Sequence, residues 1–199
     1  MTPILVTPPT VEPITLAQAK DHLRVVVPEE DAYITSLIIV ARSTLEGVIH
    51  RSISPQRLAI GADAFYPQRG LPRFPAAPTP NVVVTYYDQD GAQQTLPDTD
   101  YFLDPYVEPP QLHLLPGITA PRTQVRAGAV RVEYDAGYAD LDATQEELAA
   151  AVPAPLKQWM LLAIGAFYEH REAVTAQVQT YELPEDFMCY LLQDYMVYE

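Results

Sequence analysis

Cysteine is almost missing from this chain of 199 residues: Cys189 is the only one. A lone cysteine excludes an internal disulfide and any cysteine-cluster metal site, and makes an intracellular site of folding the expectation. Glycine is scarce too. The eight glycines are scattered, and none sits in a phosphate-cradling loop pattern. Neither HExxH nor GxSxG occurs, which removes the zinc-protease and serine-hydrolase signatures. Long apolar runs are lacking as well. The stretch Trp159 to Tyr168 has ten uncharged residues, with Lys157 before it and Glu169, His170 and Arg171 after it. A membrane span needs about 20 apolar residues. A buried helix of a bundle is therefore expected there, and no membrane partner. The first residues, MTPILVTPPT, have no basic residue and are broken by prolines, so a signal peptide is not expected.

Basic residues are few. Twelve Lys and Arg face 26 Asp and Glu, for a formal charge of −14. The imbalance is uneven. Residues 51–131 hold seven of each sign, so the whole excess lies in the two flanks. Tight wrapping of DNA needs Lys and Arg against phosphates, and this composition argues against it. Solubility alone accounts for an acidic surface. So does a surface that lies near DNA without adhering to it.

What is present is a helical pattern at both ends. TLAQ from Thr15 fits a capping box, followed by Leu16, Ala19, Leu23 and Val26 at helical spacing and stopped by VVVP. A longer helix is expected over about 29–50. Its apolar stripe is Ile34, Leu37, Ile38, Ala41, Leu45, Val48 and Ile49, with Ser36, Arg42, Ser43 and Glu46 off it. Glu29, Glu30 and Asp31 suit its first turn.

From Ser52 the style changes. Eleven of the twenty prolines fall between Pro67 and Pro121. Short strand-like runs lie between them: RLAIGADAF, NVVVTYYD, QQTL, YFLD, QLHLL and AVRVEYDAGY, with Asp90-Gly91 as a tight turn. The last alternates Val130, Val132 and Tyr134 against Arg131, Glu133 and Asp135. Residues 52–140 are expected to form an antiparallel β insertion, with the proline-rich 67–81 segment as an irregular loop.

Helical character returns near Ala143. TQEELAAAVP reads as a short helix. PLKQWMLLAIGAFYEHREAV follows, with Leu156, Trp159, Met160, Ala163, Ile164 and Phe167 on one face and Gly165 and Ala166 open to close packing. A last helix is expected from Pro184 over 184–199. It carries Phe187, Tyr190, Leu191, Tyr195 and Tyr198, and either docks on its own bundle or is offered to a partner. The expected class is α+β: a mainly helical bundle from both chain ends with an antiparallel β insertion, in a single domain over 1–199.

No catalytic constellation, cofactor site or metal site is expected. His22, His50, His113 and His170 are far apart in sequence. Asp140, Asp142, Glu146 and Glu147 lack the EF-hand spacing and read as a solvated loop and an acidic first turn. Cys189 lies on an apolar stretch and reads as buried.

Several segments together resemble a family. EPITLAQAKDHLRV followed by PEEDAYITSLIIVARSTLEGVIHRSI, then YFLDPYVEPPQLHLLPG, AVRVEYDAGYAD, VPAPLKQWMLLAIGAFYEHREAV and ELPEDFMCYLLQDYMVY occur in order. They resemble the head–tail connector proteins of tailed phages, the adaptor or head-completion proteins of the HK97 gp6-like and phiE125 gp8-like group. Two departures stand out: Met196 occupies the place of the family's final arginine, and the proline-rich 67–81 segment has no counterpart. The resemblance implies a structural virion protein at the head–tail interface, assembled in the bacterial host cytoplasm. It implies a ring, usually of twelve copies, under a portal protein. Such a ring extends the DNA channel without sequence-specific binding and docks the next neck or tail-completion protein. It implies no catalysis and no cofactor. It also implies portal attachment through the C-terminal region, here Phe187, Tyr190, Leu191, Tyr195 and Tyr198. Leu156, Trp159, Ile164, Gly165 and Phe167 are the expected helix-packing residues, within the bundle or between subunits. The alternative is a DNA-packaging factor like a small terminase subunit, disfavoured by the lack of a basic patch.

Overall fold

The computed structural model describes residues 3–66, 68–73, 81–104, 106–170 and 190–197. The fold is α+β, with four α-helices and two antiparallel sheets among these residues. The chain divides into two compact units. One comprises Met1–Thr10 and Ser54–Ala143, the other Val11–Ile53 and Thr144–Glu199.

The first unit holds all eight strands: β1 (Ile4–Thr7), β2 (Gln56–Ala62), β3 (Gln68–Gly70), β4 (Val83–Tyr87), β5 (Gln93–Thr95), β6 (Tyr101–Asp104), β7 (Gln111–Leu114) and β8 (Val130–Ala136). One sheet has the order β1-β2-β8-β4-β5 and the other β3-β7-β6. The alternation read from β8 is present, with Val130, Val132 and Tyr134 buried. They pack in one core with Leu58, Ile60, Leu71, Val84, Leu96 and Leu112. Asp135 departs from the expected polar face. It is buried and receives Arg57 Nε at 2.7 Å and Nη2 at 3.2 Å, a two-point pair that compensates its desolvation. The Tyr134 hydroxyl donates to the Pro72 carbonyl, and burial pushes its phenol well above the ordinary range. Gly137 has φ +129, and a Cβ there would stand 2.8 Å from the Ser54 carbonyl oxygen, so the position admits glycine alone.

Two strands carry no strand-like pattern in the sequence. β1 is an apolar strand at a sheet edge with its side chains exposed, between Pro3 and Pro8. β3 is three residues long and pairs with β7. Most of the 67–81 segment, read as an irregular loop, lies outside the described residues; 71–73 form no strand.

The second unit holds α1 (Leu16–Leu23), α2 (Asp31–Ile49), α3 (Gln145–Ala151) and α4 (Ala154–Glu169). α1 opens on the expected capping box. The Thr15 hydroxyl accepts from the Gln18 N–H at 3.0 Å and the Gln18 side chain accepts from the Thr15 N–H at 2.9 Å. It ends earlier than expected. Arg24 turns left-handed (φ 59) and Val25 N–H bonds back to the Lys20 carbonyl, which closes the helix before VVVP. Val26 is therefore off the apolar stripe and 88% exposed. A 3-10 turn, Pro28–Glu30, precedes α2, and His50 caps its end in the left-handed region.

α2 buries Ile34, Leu37, Ile38, Ala41, Leu45 and Ile49, whereas Val48 is exposed. With its preceding turn, α2 is long and apolar enough to cross a membrane. Its buried face is nonetheless that of a core helix, because it contains two charges. Arg42 and Glu46, expected off the stripe, are both buried. Arg42 Nε donates to Glu12 Oε2 at 2.8 Å, and its Nη1 to Glu46 Oε2 at 2.9 Å. Glu46 Oε1 accepts the Ile53 N–H at 2.7 Å. Each buried charge thus has partners, as burial requires.

α3 has its own capping box between Thr144 and Glu147. α4 takes Pro155 in its first turn, where no N–H partner is needed. Leu156, Trp159, Met160, Ala163 and Ile164 are buried on it, and α1 and α2 pack against it, whereas Ala166 is exposed. Tyr33 of α2 lies 6.1 Å from Tyr168, ring to ring, and His22 of α1 sits beside Gly165, 3.6 Å from where a Cβ would stand.

Arg42→Met should destabilise the protein by about 3–5 kcal/mol, because it leaves the buried Glu46 and the half-buried Glu12 without their cation. Denaturant unfolding followed by far-UV circular dichroism measures this. The triple variant Glu12→Gln, Arg42→Met, Glu46→Gln should recover most of the loss.

Candidate docking surfaces

The described residues contain no group of three or more His, Cys, Asp or Glu placed to hold a metal ion. The histidines have local roles. His50 and His170 cap helices, His113 stacks on Phe102 with centroids 5.1 Å apart, and His22 lies against Gly165. Glu147 belongs to the α3 cap, where hydrogen bonds from Thr144 hold its carboxyl below the usual range.

Concave features are equally uninviting to chemistry. An apolar cavity of about 30 Å³ lies in the β unit among Phe65, Val84, Leu112 and Val132. That is near the volume of one water and far below that of a substrate pocket. An open groove of about 510 Å³ runs along Val83, Thr95–Asp98 and Tyr101–Leu103. Its polar lining is Asn81, Thr95, Asp98 and Tyr101, and the Tyr101 hydroxyl is engaged, donating to the Val82 carbonyl at 2.7 Å.

The residues expected to meet a partner are placed unequally. Tyr190 is 73% exposed; Leu191 and Tyr195 are half-buried; Phe187 and Tyr198 lie outside the described residues, as does Cys189. The helix expected to run to the C-terminus stops at Leu192. There Tyr195 and Met196 N–H both return to the Leu192 carbonyl, and Val197 N–H bonds to the Ile49 carbonyl at the end of α2. Arg51 Nε donates to the Tyr195 carbonyl, and Leu192 is buried. This segment is therefore docked on the bundle while presenting the Tyr190 ring to solvent. Of the residues expected to pack α4, Leu156, Trp159 and Ile164 are buried, and Gly165 and Phe167 are half-buried. The Phe167 carbonyl accepts from the Tyr33 hydroxyl at 3.4 Å.

A further surface was not singled out from sequence. The loop between β7 and β8 carries Arg122 and Arg126, both exposed, and Val125, wholly exposed. Residues 109–132 contain no Asp or Glu and three Arg, in a strongly acidic chain. Arg126 lies over the Tyr87 ring at 4.2 Å, a cation–π contact. Gln124 N–H bonds to the Tyr87 carbonyl at 3.0 Å, and Gly128 N–H to Asp63 Oδ1 at 2.9 Å. Thr123 bridges to Asp88, which organises the neighbouring β4–β5 turn. The Asp88 carboxylate accepts from the Gln94 side chain and from the backbone N–H of Ala92 and Asp90, and these bonds hold its carboxyl below the usual 3.8.

A depressed folded pKa contributes stability above the unfolded value that is lost as pH falls through the folded one. Amide protection at Asp90 and Ala92, taken relative to the intrinsic exchange rate at each pH, should therefore exceed that of the neighbouring loop at neutral pH and fall below about pH 4. Asp88→Asn should show the lower protection at every pH.

No protein-family model matches the chain, and neither does any curated protein. Solved structures do. A chain from the neck of an empty GTA particle, computed with C6 symmetry, is 24% identical with a TM-score of 0.73; a chain from the virion of a native gene transfer agent (GTA) particle is 21% identical with a TM-score of 0.75. A chain from the neck of a native GTA particle, computed with C12 symmetry, is 22% identical with a TM-score of 0.71. In each case the match covers 100% of this chain and 97% of the other. From end to end, then, this chain has the fold of chains found in the virions and necks of gene transfer agent particles.

Proposed function

We propose that the protein is a structural component of a phage-like neck, a head–tail adaptor without enzymatic activity. The observation that carries this is the likeness to chains of particle necks over 100% of this chain and 97% of theirs. The ordered resemblance of the sequence to tailed-phage connectors points the same way, and so does the acidic surface.

The whole chain acts as one connector domain in a ring under a portal protein. Twelve copies agree with the C12 symmetry of one matching neck. The ring extends the DNA channel, and the net charge of −14 on each chain keeps passing DNA from adhering. The next neck or tail-completion protein docks on its far side. Successive copies meet through two different faces, a heterologous contact that closes by rotation.

The C-terminal segment is the portal-facing element. Because Leu192 and the 195–197 backbone are tied to the bundle, deletion of 184–199 conflates docking with stability. Tyr190→Ser separates them. Its exposed ring leaves the fold unaffected, so the melting temperature should stay within about 1 °C of the parent. Co-sedimentation with the portal should fall about tenfold or more if Tyr190 is an aromatic anchor. Undiminished portal binding would remove Tyr190 from the interface. Negative-stain images lacking this protein at the neck would remove the adaptor reading itself.

A further inference from the structure

We infer that the β7–β8 loop of one copy docks on the α1–α2 corner of the next copy, with Arg122, Val125 and Arg126 as its contact residues. This rests on the ring reading above and specifies its subunit contact.

The loop is built for contact. Val125 is 102% exposed, so water surrounds an apolar side chain between two arginines. Such a residue gains only when something covers it. The loop is also held in place, by the Gln124–Tyr87 and Gly128–Asp63 hydrogen bonds and by Arg126 over Tyr87. Little ordering remains to be done on binding, which favours affinity. Arginine on an aromatic face is partly desolvated already and suits an interface.

The complement lies in the same sequence. At the α1–α2 corner, Val26 is 88% and Val27 47% exposed. Lys20 fixes this corner, donating to the Val27 carbonyl and pairing with Asp31. With that pair neutralised, the exposed Asp21 and Glu29 outnumber Arg24, so the corner is acidic around two valines. One surface offers a valine between cations, the other valines beside anions. They differ, and two different complementary patches on one chain are what a head-to-tail ring needs. Duplex DNA is the weaker match for the loop, because a wholly exposed valine gains nothing against phosphates.

The test uses the full chain. In a Cys189→Ser background, Val26→Cys and Val125→Cys preparations are mixed at millimolar concentration and oxidised. The mixture should give a disulfide-linked dimer of unlike chains, each preparation alone should stay monomeric on a denaturing gel, and the double variant should give a ladder. Charge reversal supplies a second measurement that keeps Cys189. Arg122→Glu with Arg126→Glu, and separately Glu29→Arg with Glu30→Arg, should each weaken self-association in sedimentation by about tenfold or more. An equimolar mixture should restore it, because every contact of an alternating ring again joins unlike charges.

An oligomer of the parent chain with no crosslink and no rescue overturns this contact and leaves the ring. A parent that stays monomeric, gives no crosslink and is missing from the neck in particle images overturns both. Retardation of duplex DNA by the parent but not by the Arg122→Glu, Arg126→Glu variant reassigns the loop to nucleic acid.

Discussion

The helical unit depends on one buried cation. Arg42 sits on the inward side of α2 and is held by Glu12, which precedes α1, and by Glu46, one turn further along α2. Glu46 in turn receives the Ile53 N–H, where the chain leaves α2. One guanidinium thus joins the entry to α1, the middle of α2 and the exit from α2. Apolar contacts around it are strong but weakly directional. The guanidinium accepts only one arrangement of its carboxylates, so it fixes how far α2 is rotated and which face meets α4. The packing of Leu156, Met160, Ala163 and Ile164 follows from that rotation.

The β unit uses different means to the same end. Its sheets bury a shared apolar core, and two polar residues set the register. Arg57 and Asp135 are directly opposed on β2 and β8, and a slip of one position would separate them. Gly137 then lets the chain pass closely over Ser54 and Pro55, just after β8 ends. Neither device involves a reacting group.

Much of this was legible in the sequence, for local reasons. The Thr15 capping box, the α2 stripe apart from Val48, the Asp90-Gly91 turn and the β8 alternation up to Tyr134 are patterns of neighbouring residues, and all are present. What escaped depends on distant partners. Arg42 and Glu46 look like a solvated pair on the polar side of a helix until Glu12, thirty residues earlier, is brought beside them. β1 carries too few residues between prolines to declare itself, and its exposed side chains give no inward-facing pattern. The early stop of α1 turned on a left-handed arginine, a conformation composition rarely announces. The candidate contacts were the least legible. Tyr190 stands out in the sequence by its aromaticity, whereas the Arg122–Arg126 loop has no periodicity and is conspicuous only by its exposure and its tethers.

The interleaving of the two units along the chain bears on its synthesis. The β unit is complete once β8 has left the ribosome, near Ala136. The helical unit is not, because α4 spans Ala154–Glu169. For more than a hundred residues of translation, the side of α2 bearing Ile34, Leu37, Ile38 and Leu45 has no α4 to rest on. The nascent chain therefore carries a long apolar helix face through most of its production. A chaperone would meet this face first, and slow elongation between residues 50 and 150 would prolong its exposure.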